Sequence, residues 1–356
     1  MNLDALSLPL LLAIFTVSAV AIWIAGIHLS NTTDILSKRF DIGEALGGMI
    51  ILAIVTNLPE IAIVVSASLQ HNMGIAVGNI LGGIAFQTVV LVILDTFGLG
   101  KQNSLTYKSA SLILVLEGSL VLAVLSLVIV GHQLPESMIY FRMTPISLLI
   151  FVAWIVGIKL ISRAQKELPW VSDFKVPGGQ TEPQGHSIDK KDELAKENKA
   201  ATSTIIFIFI ICAIVTLVGG VGLETSGEGI SKHIGMEGVI FGATVLAVAT
   251  SLPEISTGLA SIKMKDYQMA VSDIFGGNAF LPVLFLLATL ISGEAVLPKA
   301  EKTDIYLTAI AMLLTIIYTW GLLFRPRKQI LYMGLDSFIV LVIYALGIVG
   351  LFSIAK

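Results

Sequence analysis

Long apolar stretches are the feature of this sequence that most limits how it can fold. Each is about twenty residues long, the length that an α-helix needs to cross the ~30 Å hydrocarbon core of a bilayer. The predicted stretches are residues 7–28, 44–69, 73–95, 108–131, 143–163, 202–220, 236–261, 268–292, 303–324 and 331–353. Lipid offers the backbone no hydrogen bonds, so spanning segments are helices or closed barrels. Barrel strands alternate apolar and polar residues over about ten positions, whereas these runs are continuous and predict ten transmembrane helices.

The composition excludes several classes of protein. Charged residues make up 13% of the chain, about half of the ~25% usual in soluble domains, and the mean hydropathy is +0.90. The predicted fold class is therefore an all-α integral membrane protein. A net charge of −3 does not favour a nucleic-acid partner. The sequence contains no HExxH motif, no phosphate-binding loop and no metal-ligand spacing among its five histidines, so we expect neither an enzyme nor a bound cofactor.

An internal duplication divides the chain into two halves. The segment Thr56–Glu60 (TNLPE) returns 194 residues later as Thr250–Glu254 (TSLPE). At this offset, 12 of 32 positions are identical between 56–87 and 250–281. The shared residues include Pro, Glu and a Gly-Gly pair, which two unrelated apolar helices would not be expected to share. We interpret the halves as repeats. Their motifs are placed at 48–87 and 242–281.

The distribution of lysine and arginine predicts the orientation of the chain. Cytoplasmic loops carry an excess of these residues, and most of them here fall on the segments that are cytoplasmic if the N-terminus lies outside. We therefore expect both termini on the non-cytoplasmic side of the cell membrane. With five helices per half, the second half enters from the opposite side, so the repeats are inverted. The predicted units are a first five-helix repeat (1–163), a polar cytoplasmic linker (164–201) and a second five-helix repeat (202–356).

Each repeat places a carboxylate inside a membrane span. A charge at mid-bilayer costs about 2.5–3.5 kcal/mol on insertion scales, so Glu60 and Glu254 are expected to face a shared cation or protons. The preceding proline removes a backbone donor and frees a carbonyl one turn earlier, next to Thr56 or Thr250. Carboxylate, hydroxyl and carbonyl oxygens suit a hard cation such as Ca²⁺. The alternative is a pair of protonated, hydrogen-bonded glutamates at simple proline kinks.

The second motif combines glycines with one polar position. The glycine pairs at 82–83 and 276–277 suit the close approach of helices. One turn before the second glycine of each pair, Asn79 in the first repeat corresponds to Asp273 in the second. Asp273 is thus a third candidate acid for a central cavity, and the alternative is an internal polar pair.

At these residues the sequence resembles the alpha repeats of the calcium/cation antiporter superfamily, which includes sodium/calcium and proton/calcium exchangers. The ligands that this resemblance implies are the carboxylates of Glu60 and Glu254, the backbone carbonyls of Thr56 and Thr250, and the polar groups of Asn57 and Ser251. It also implies that the first and sixth helices slide as a tilted pair to alternate access to the site.

Two departures from the family pattern concern the substrate. Where the family has a serine after the first glycine, this chain has Gly83 and Gly277, which removes two hydroxyls associated with sodium sites. Where the family has Asn or Asp four positions later, this chain has Gln87 and Leu281. We retain Gln87 as a candidate ligand and expect Asp273 to compensate from one turn away.

These observations predict a secondary active antiporter that exchanges Ca²⁺ for Na⁺ or H⁺ at one midplane site by alternating access. Its expected partners are inorganic cations and the lipid bilayer. A monovalent cation/proton antiporter with the same fold is the alternative. A cation channel is less favoured, because a pore needs a continuous polar path.

Overall fold

The computed structural model describes residues 6–40, 47–100, 103–166, 200–235 and 241–354. The first half contains α1 (Leu8–Arg39), α2 (Gly47–Thr56), α3 (Leu58–Leu69), α4 (Met73–Ile93, extended by a π-helical turn Leu94–Leu99), α5 (Leu105–Ser109), α6 (Leu112–His132) and α7 (Pro145–Lys166). The second half contains α8 (Thr202–Ile234), a π-helical turn Gly242–Leu246, α9 (Ala247–Thr250), α10 (Leu252–Lys263), α11 (Tyr267–Phe280), a 3-10 turn Leu281–Val283, α12 (Leu284–Ser292), a 3-10 turn Leu297–Lys299, α13 (Lys302–Phe324), strands β1 (Gln329–Ile330) and β2 (Met333–Gly334), and α14 (Leu335–Ile354).

The all-helical membrane architecture predicted from the sequence is confirmed. In the described residues, eight helices are long and apolar enough to cross a bilayer. They are Leu8–Thr33, Met73–Leu99, Leu112–His132, Pro145–Gln165, Thr202–Ile234, Tyr267–Ser292, Lys302–Phe324 and Leu335–Ile354. A ninth span results if Thr244–Thr250 and Leu252–Lys263, which meet at 48°, are counted as one broken helix.

The predicted span 44–69 is divided between α2 and α3, each shorter than a bilayer requires, and residues 44–46 lie outside the described part. The predicted linker 164–201 is described only at its two ends, because 167–199 also lie outside that part.

Both helix breaks have the same backbone geometry. The first lies at Asn57 (φ −86°, ψ 16°) and the second at Ser251 (φ −84°, ψ 7°). In each case a proline occupies the second position of the following helix, where its missing N–H belongs to the unpaired first turn. The duplicated sequence therefore produces a duplicated interruption of the helix.

Two spans form the centre of the bundle, and longer helices lie at its edge. In the apolar window of Met73–Leu99, 94% of residues are buried, and in that of Tyr267–Ser292, 72%. The corresponding fraction is 22% for Leu8–Thr33 and 28% for Thr202–Ile234. These two peripheral helices, α1 and α8, pack extensively against each other.

Candidate functional site

The two motif glutamates lie in the first turns of α3 and α10, directly after the helix breaks. Both Glu60 and Glu254 have no solvent exposure. The first-turn N–H groups of a helix are unpaired and attract negative charge. The breaks thus turn the start of each short helix toward the interior of the protein, with a carboxylate beside it.

A single amide joins the two glutamates. The Gln87 Nε2 atom donates toward Glu60 Oε1 at 3.2 Å and Glu254 Oε1 at 3.4 Å. The same nitrogen lies 3.0 Å from Asn57 Oδ1, and the Asn57 amide in turn donates to the carbonyl of Ala53 at 2.6 Å. Carboxylates 194 residues apart in the chain therefore converge on one point, as the duplication led us to expect.

The motif threonines pair crosswise with the glutamates. The Thr250 side chain lies beside the Glu60 carboxylate, and the Thr56 side chain lies beside that of Glu254. Each threonine therefore lies beside the acid of the other half of the chain, and the surroundings of each glutamate include residues of both halves.

Asp273 lies next to this pair and not between its members. Its Oδ2 accepts a 2.6 Å hydrogen bond from Thr257, and its Oδ1 is 3.4 Å from the Thr56 hydroxyl. It also interacts electrostatically with Glu254. Throughout the described segments, His, Cys, Asp and Glu residues form no group of three that could hold a metal ion, so the role of Asp273 as a cation ligand stays a prediction.

Thr257 is a site residue that the sequence reasoning missed. It follows Glu254 by three positions on α10, so it lies on the same helix face. That spacing was the available signal. The first repeat has Ile63 at the matching position, which is why the duplication did not draw attention to it.

The remaining candidates, Ser251 and Asn79, differ in their connection to the site. Ser251 lies at the second helix break, and its hydroxyl is buried. Asn79 is also buried, but its Nδ2 has no hydrogen-bond partner among the described residues, the glutamates included. Asn79 is therefore the candidate with the weakest geometric connection to the site.

Several oxygens around the glutamates lack hydrogen-bond partners within the part of the chain that the structure describes. They are Glu60 Oε2, Glu254 Oε2, Gln87 Oε1 and Ser251 Oγ. Buried polar atoms are usually paired, and carboxylate, amide and hydroxyl oxygens are the ligands that hard cations prefer. The donor set therefore fits a cation bound between the repeats.

The glycines at 83 and 277 differ in how much room a side chain would have, and only Gly277 has a packing reason. A Cβ atom on Gly277 would lie 2.7 Å from Asn57 Nδ2, whereas one on Gly83 would meet nothing closer than Leu281 Cδ1 at 3.8 Å. The Asn57 amide thus occupies the space that a serine at 277 would need. The absence of a serine hydroxyl at 277 and the Asn57–Gln87 amide pair therefore go together, because the Asn57 amide fills the space beside Gly277.

The peripheral helices touch the site through glycine. A Cβ atom on Gly220 of α8 would lie 2.9 Å from the Pro59 carbonyl oxygen, and one on Gly26 of α1 would lie 3.1 Å from the Pro253 Cα. The two glycines are themselves 194 residues apart. Each long helix therefore contacts the proline of the other half of the chain closely, and a Cβ at either glycine would force a neighbouring atom to shift.

The sequence model of the sodium/calcium exchanger protein family matches residues 10–160 and 203–352, one range in each half. The inner membrane protein YrbG of Escherichia coli (strain K12) is 25% identical over 279 residues, which are 78% of either chain.

Two solved structures share the fold. The sodium-calcium exchanger NCX_Mj aligns with a TM-score of 0.61 and 17% identity, over 96% of this chain and 99% of its own. The H⁺/Ca²⁺ exchanger CAX aligns with a TM-score of 0.68 and 10% identity, over 97% of this chain and 87% of its own. At such identities the likeness concerns the fold alone.

Proposed function

The chain belongs to the sodium/calcium exchanger protein family, and we propose that it is a secondary active antiporter that exchanges Ca²⁺ for H⁺ or Na⁺. The observation that carries this proposal is the convergence of Glu60 and Glu254, one from each repeat, on the Gln87 amide. Two carboxylates neutralise one divalent cation, and removed from water they also bind protons readily. One pair of acids can therefore hold either ion in turn, as exchange requires.

The proposed cation ligands come from both repeats. They are Glu60, Glu254, Thr56, Thr250, Asn57, Ser251 and Gln87, with Asn79 and Asp273 as outer polar groups. A cation that binds both carboxylates must displace the Gln87 nitrogen from between them. If the amide turns over, Gln87 Oε1 becomes a further ligand. The Gln87 nitrogen would then donate hydrogen bonds to the charged carboxylates while no cation is bound. Its oxygen would bind the cation when one is present.

The proposed topology has ten spans in two inverted repeats. We count α2 with α3 and α9 with α10 as broken spans, and place both termini on the non-cytoplasmic side. The proposed units are 1–163, a cytoplasmic linker 164–201 and 202–356. The glycine contacts of α1 and α8 with the two prolines bring these helices directly against the site, because small residues let backbones approach closely, and we propose that the pair slides over it.

Proton coupling is favoured over sodium coupling by the packing around Gly277. The position that would offer a serine hydroxyl is filled by the Asn57 amide, 2.7 Å from a Cβ at 277. An N–H donor repels a cation. The same observation favours the second candidate function, monovalent cation/proton exchange, if the remaining oxygens prove too few for Ca²⁺.

Transport by the purified protein in proteoliposomes tests these alternatives. We expect uptake of radioactive Ca²⁺ when an outward H⁺ gradient is imposed, with less uptake from an equal Na⁺ gradient. Monovalent flux coupled to H⁺ without Ca²⁺ uptake would establish the second candidate. Flux that continues with no cation on the opposite side would identify a channel and overturn the proposal.

A further inference from the structure

A cavity lies between four helices of the bundle, and none of the proposed cation ligands lines it. It is enclosed by α2, α6, α7 and α11, and its empty space is about 490 Å³ with its open side included. Its polar walls are Glu117 of α6 and Ser272 of α11, and much of the remainder is aliphatic or aromatic.

Glu117 is a buried acid that the proposed exchange does not use. Its side chain is 4% exposed, and its Oε1 accepts a 2.8 Å hydrogen bond from the Ser272 hydroxyl. Its Oε2 has no hydrogen-bond partner in the described residues. An ionised carboxylate in apolar surroundings must be neutralised by a proton or by a cation at hydrogen-bonding distance.

The neighbouring helices supply no such cation from within the described protein. On α11, Asp273 follows Ser272, yet its carboxylate is bonded to Thr257 on the side of the central site. On α7, Lys159 is exposed. On α13, Tyr318 donates to Ser337. The Ser272 hydroxyl is neutral, so an ionised Glu117 carboxylate would take its counter-charge from outside the described residues.

The walls of the cavity indicate what form that counter-charge takes. The ring of Trp154 packs at 5.5 Å between centroids against Phe280, and both line the cavity together with Phe275. Aromatic faces attract ammonium groups, most strongly when these are desolvated. Leu120 and Ile158, which also line the cavity, are partly exposed, so its outer edge is apolar and would admit an alkyl chain more readily than a hydrated metal ion.

We propose that this cavity binds the primary ammonium head of an amphiphile that enters from the bilayer, with Glu117 Oε2 accepting an N–H hydrogen bond and the rings of Trp154 and Phe280 surrounding the charge. The amphiphile is a free alkylamine or a lipid with a primary amine in its headgroup. This site is separate from the proposed exchange site and does not depend on it.

Titration of the purified full-length protein in nanodiscs with decylammonium tests the proposal, with decanol as the control of equal chain length. We expect decylammonium to bind wild type about ten- to one-hundred-fold more tightly than Glu117→Gln, because a charge-assisted hydrogen bond is lost. Decanol should bind both proteins alike. Equal affinity of decylammonium for the two proteins would reduce Glu117 and Ser272 to an internal polar pair and overturn the proposal.

Two additional measurements keep the result interpretable. Leu120→Phe narrows the outer edge of the cavity and retains the acid, so it too should weaken decylammonium binding even if Glu117→Gln folds poorly. Mass spectrometry of lipids retained from mixed phosphatidylethanolamine and phosphatidylcholine nanodiscs identifies the source. Selective retention of phosphatidylethanolamine by wild type indicates a lipid headgroup, and no selectivity alongside decylammonium binding indicates a free amine. Ca²⁺ exchange by Glu117→Gln should be unchanged, which separates this test from that of the proposed function.

Discussion

The two motif segments have the same backbone geometry at their helix breaks and differ in chemistry. Their helix breaks have nearly the same dihedral angles, and each supplies one buried glutamate and one threonine. The first repeat, however, contributes the amides of Asn57 and Gln87, whereas the second contributes Ser251 and the aliphatic Leu281 at the matching positions. The amide donor common to both acids, Gln87, thus comes from the first half, and the additional acid, Asp273, comes from the second. The backbone is therefore alike at the two helix breaks, while the polar side chains around them differ.

The largest expected effect concerns what the repeats share. Glu60→Gln and Glu254→Gln should each abolish Ca²⁺ exchange, because each removes half of the charge that neutralises a divalent ion and leaves the volume unchanged. Proteoliposome uptake measures this, with thermal unfolding as the check on folding. If one of the two variants transports at the wild-type rate, the repeats do not contribute equally and the shared site is wrong.

The next prediction concerns the amide that the second repeat lacks. Gln87→Leu gives the first repeat the side-chain type of Leu281 and leaves both glutamates without their common donor. We expect the free energy of unfolding to fall by about 1–3 kcal/mol, the cost of unpaired buried polar groups, and exchange to slow. Gln87→Asn, which keeps a shorter amide, is the matched control. Its stability and exchange rate should lie between those of wild type and Gln87→Leu. A Gln87→Leu protein as stable as wild type would show that the amide does not hold the repeats together.

Substitution of Gly26 or Gly220 tests the close contact between a peripheral helix and a motif proline, which occurs in both halves of the chain. Ala at either position would press on the proline of the opposite repeat, at 3.1 Å for Gly26 and 2.9 Å for Gly220. Overpacking of this kind costs about 1–3 kcal/mol, and here it falls on the contact between sliding and stationary helices. We expect both variants to slow exchange by similar factors while Ca²⁺ still binds. Gly74→Ala, where a Cβ meets nothing within 4 Å, is the control, and normal rates for both test variants would argue against sliding.

A matched pair of serine substitutions tests whether the two Gly-Gly motifs differ in packing. Gly277→Ser should destabilise the protein by about 1–3 kcal/mol, because the new side chain meets the Asn57 amide at 2.7 Å. Gly83→Ser, with its nearest neighbour at 3.8 Å, should be tolerated. Thermal unfolding in detergent measures both, and equal melting temperatures for the two variants would contradict the asymmetric packing.

The smallest effect is expected at Asp273. Asp273→Asn restores the amide present at Asn79 of the first repeat, so the helix should still pack and exchange should persist. An amide cannot take up a proton, so the variant should lose part of the pH dependence of exchange. The pH profile of Ca²⁺ uptake measures this, with Asn79→Asp as the reciprocal control. A profile identical to that of wild type would assign Asp273 a structural role.

Much of this protein could be predicted from its sequence because the relevant signals are linear. The apolar runs predicted membrane helices, since a span needs about twenty apolar residues wherever it packs. The repeated Pro-Glu segment located both helix breaks and both acids, because a missing N–H interrupts a helix locally. Thr56, Thr250 and Asn57 followed from the same five-residue segments.

Only the tertiary structure decided which of these atoms meet. Gln87 joins glutamates that lie 27 and 167 positions away in the chain, Gly277 is small because Asn57 lies against it, and Glu117 finds Ser272 across 155 positions. These distances depend on how helices of opposite repeats cross, which no local pattern encodes. The sequence alone determined that two acids would be buried in a membrane, because burial follows from the length of the apolar runs. Their common partner was decided by packing, because a hydrogen bond requires two groups to be within about 3 Å of each other.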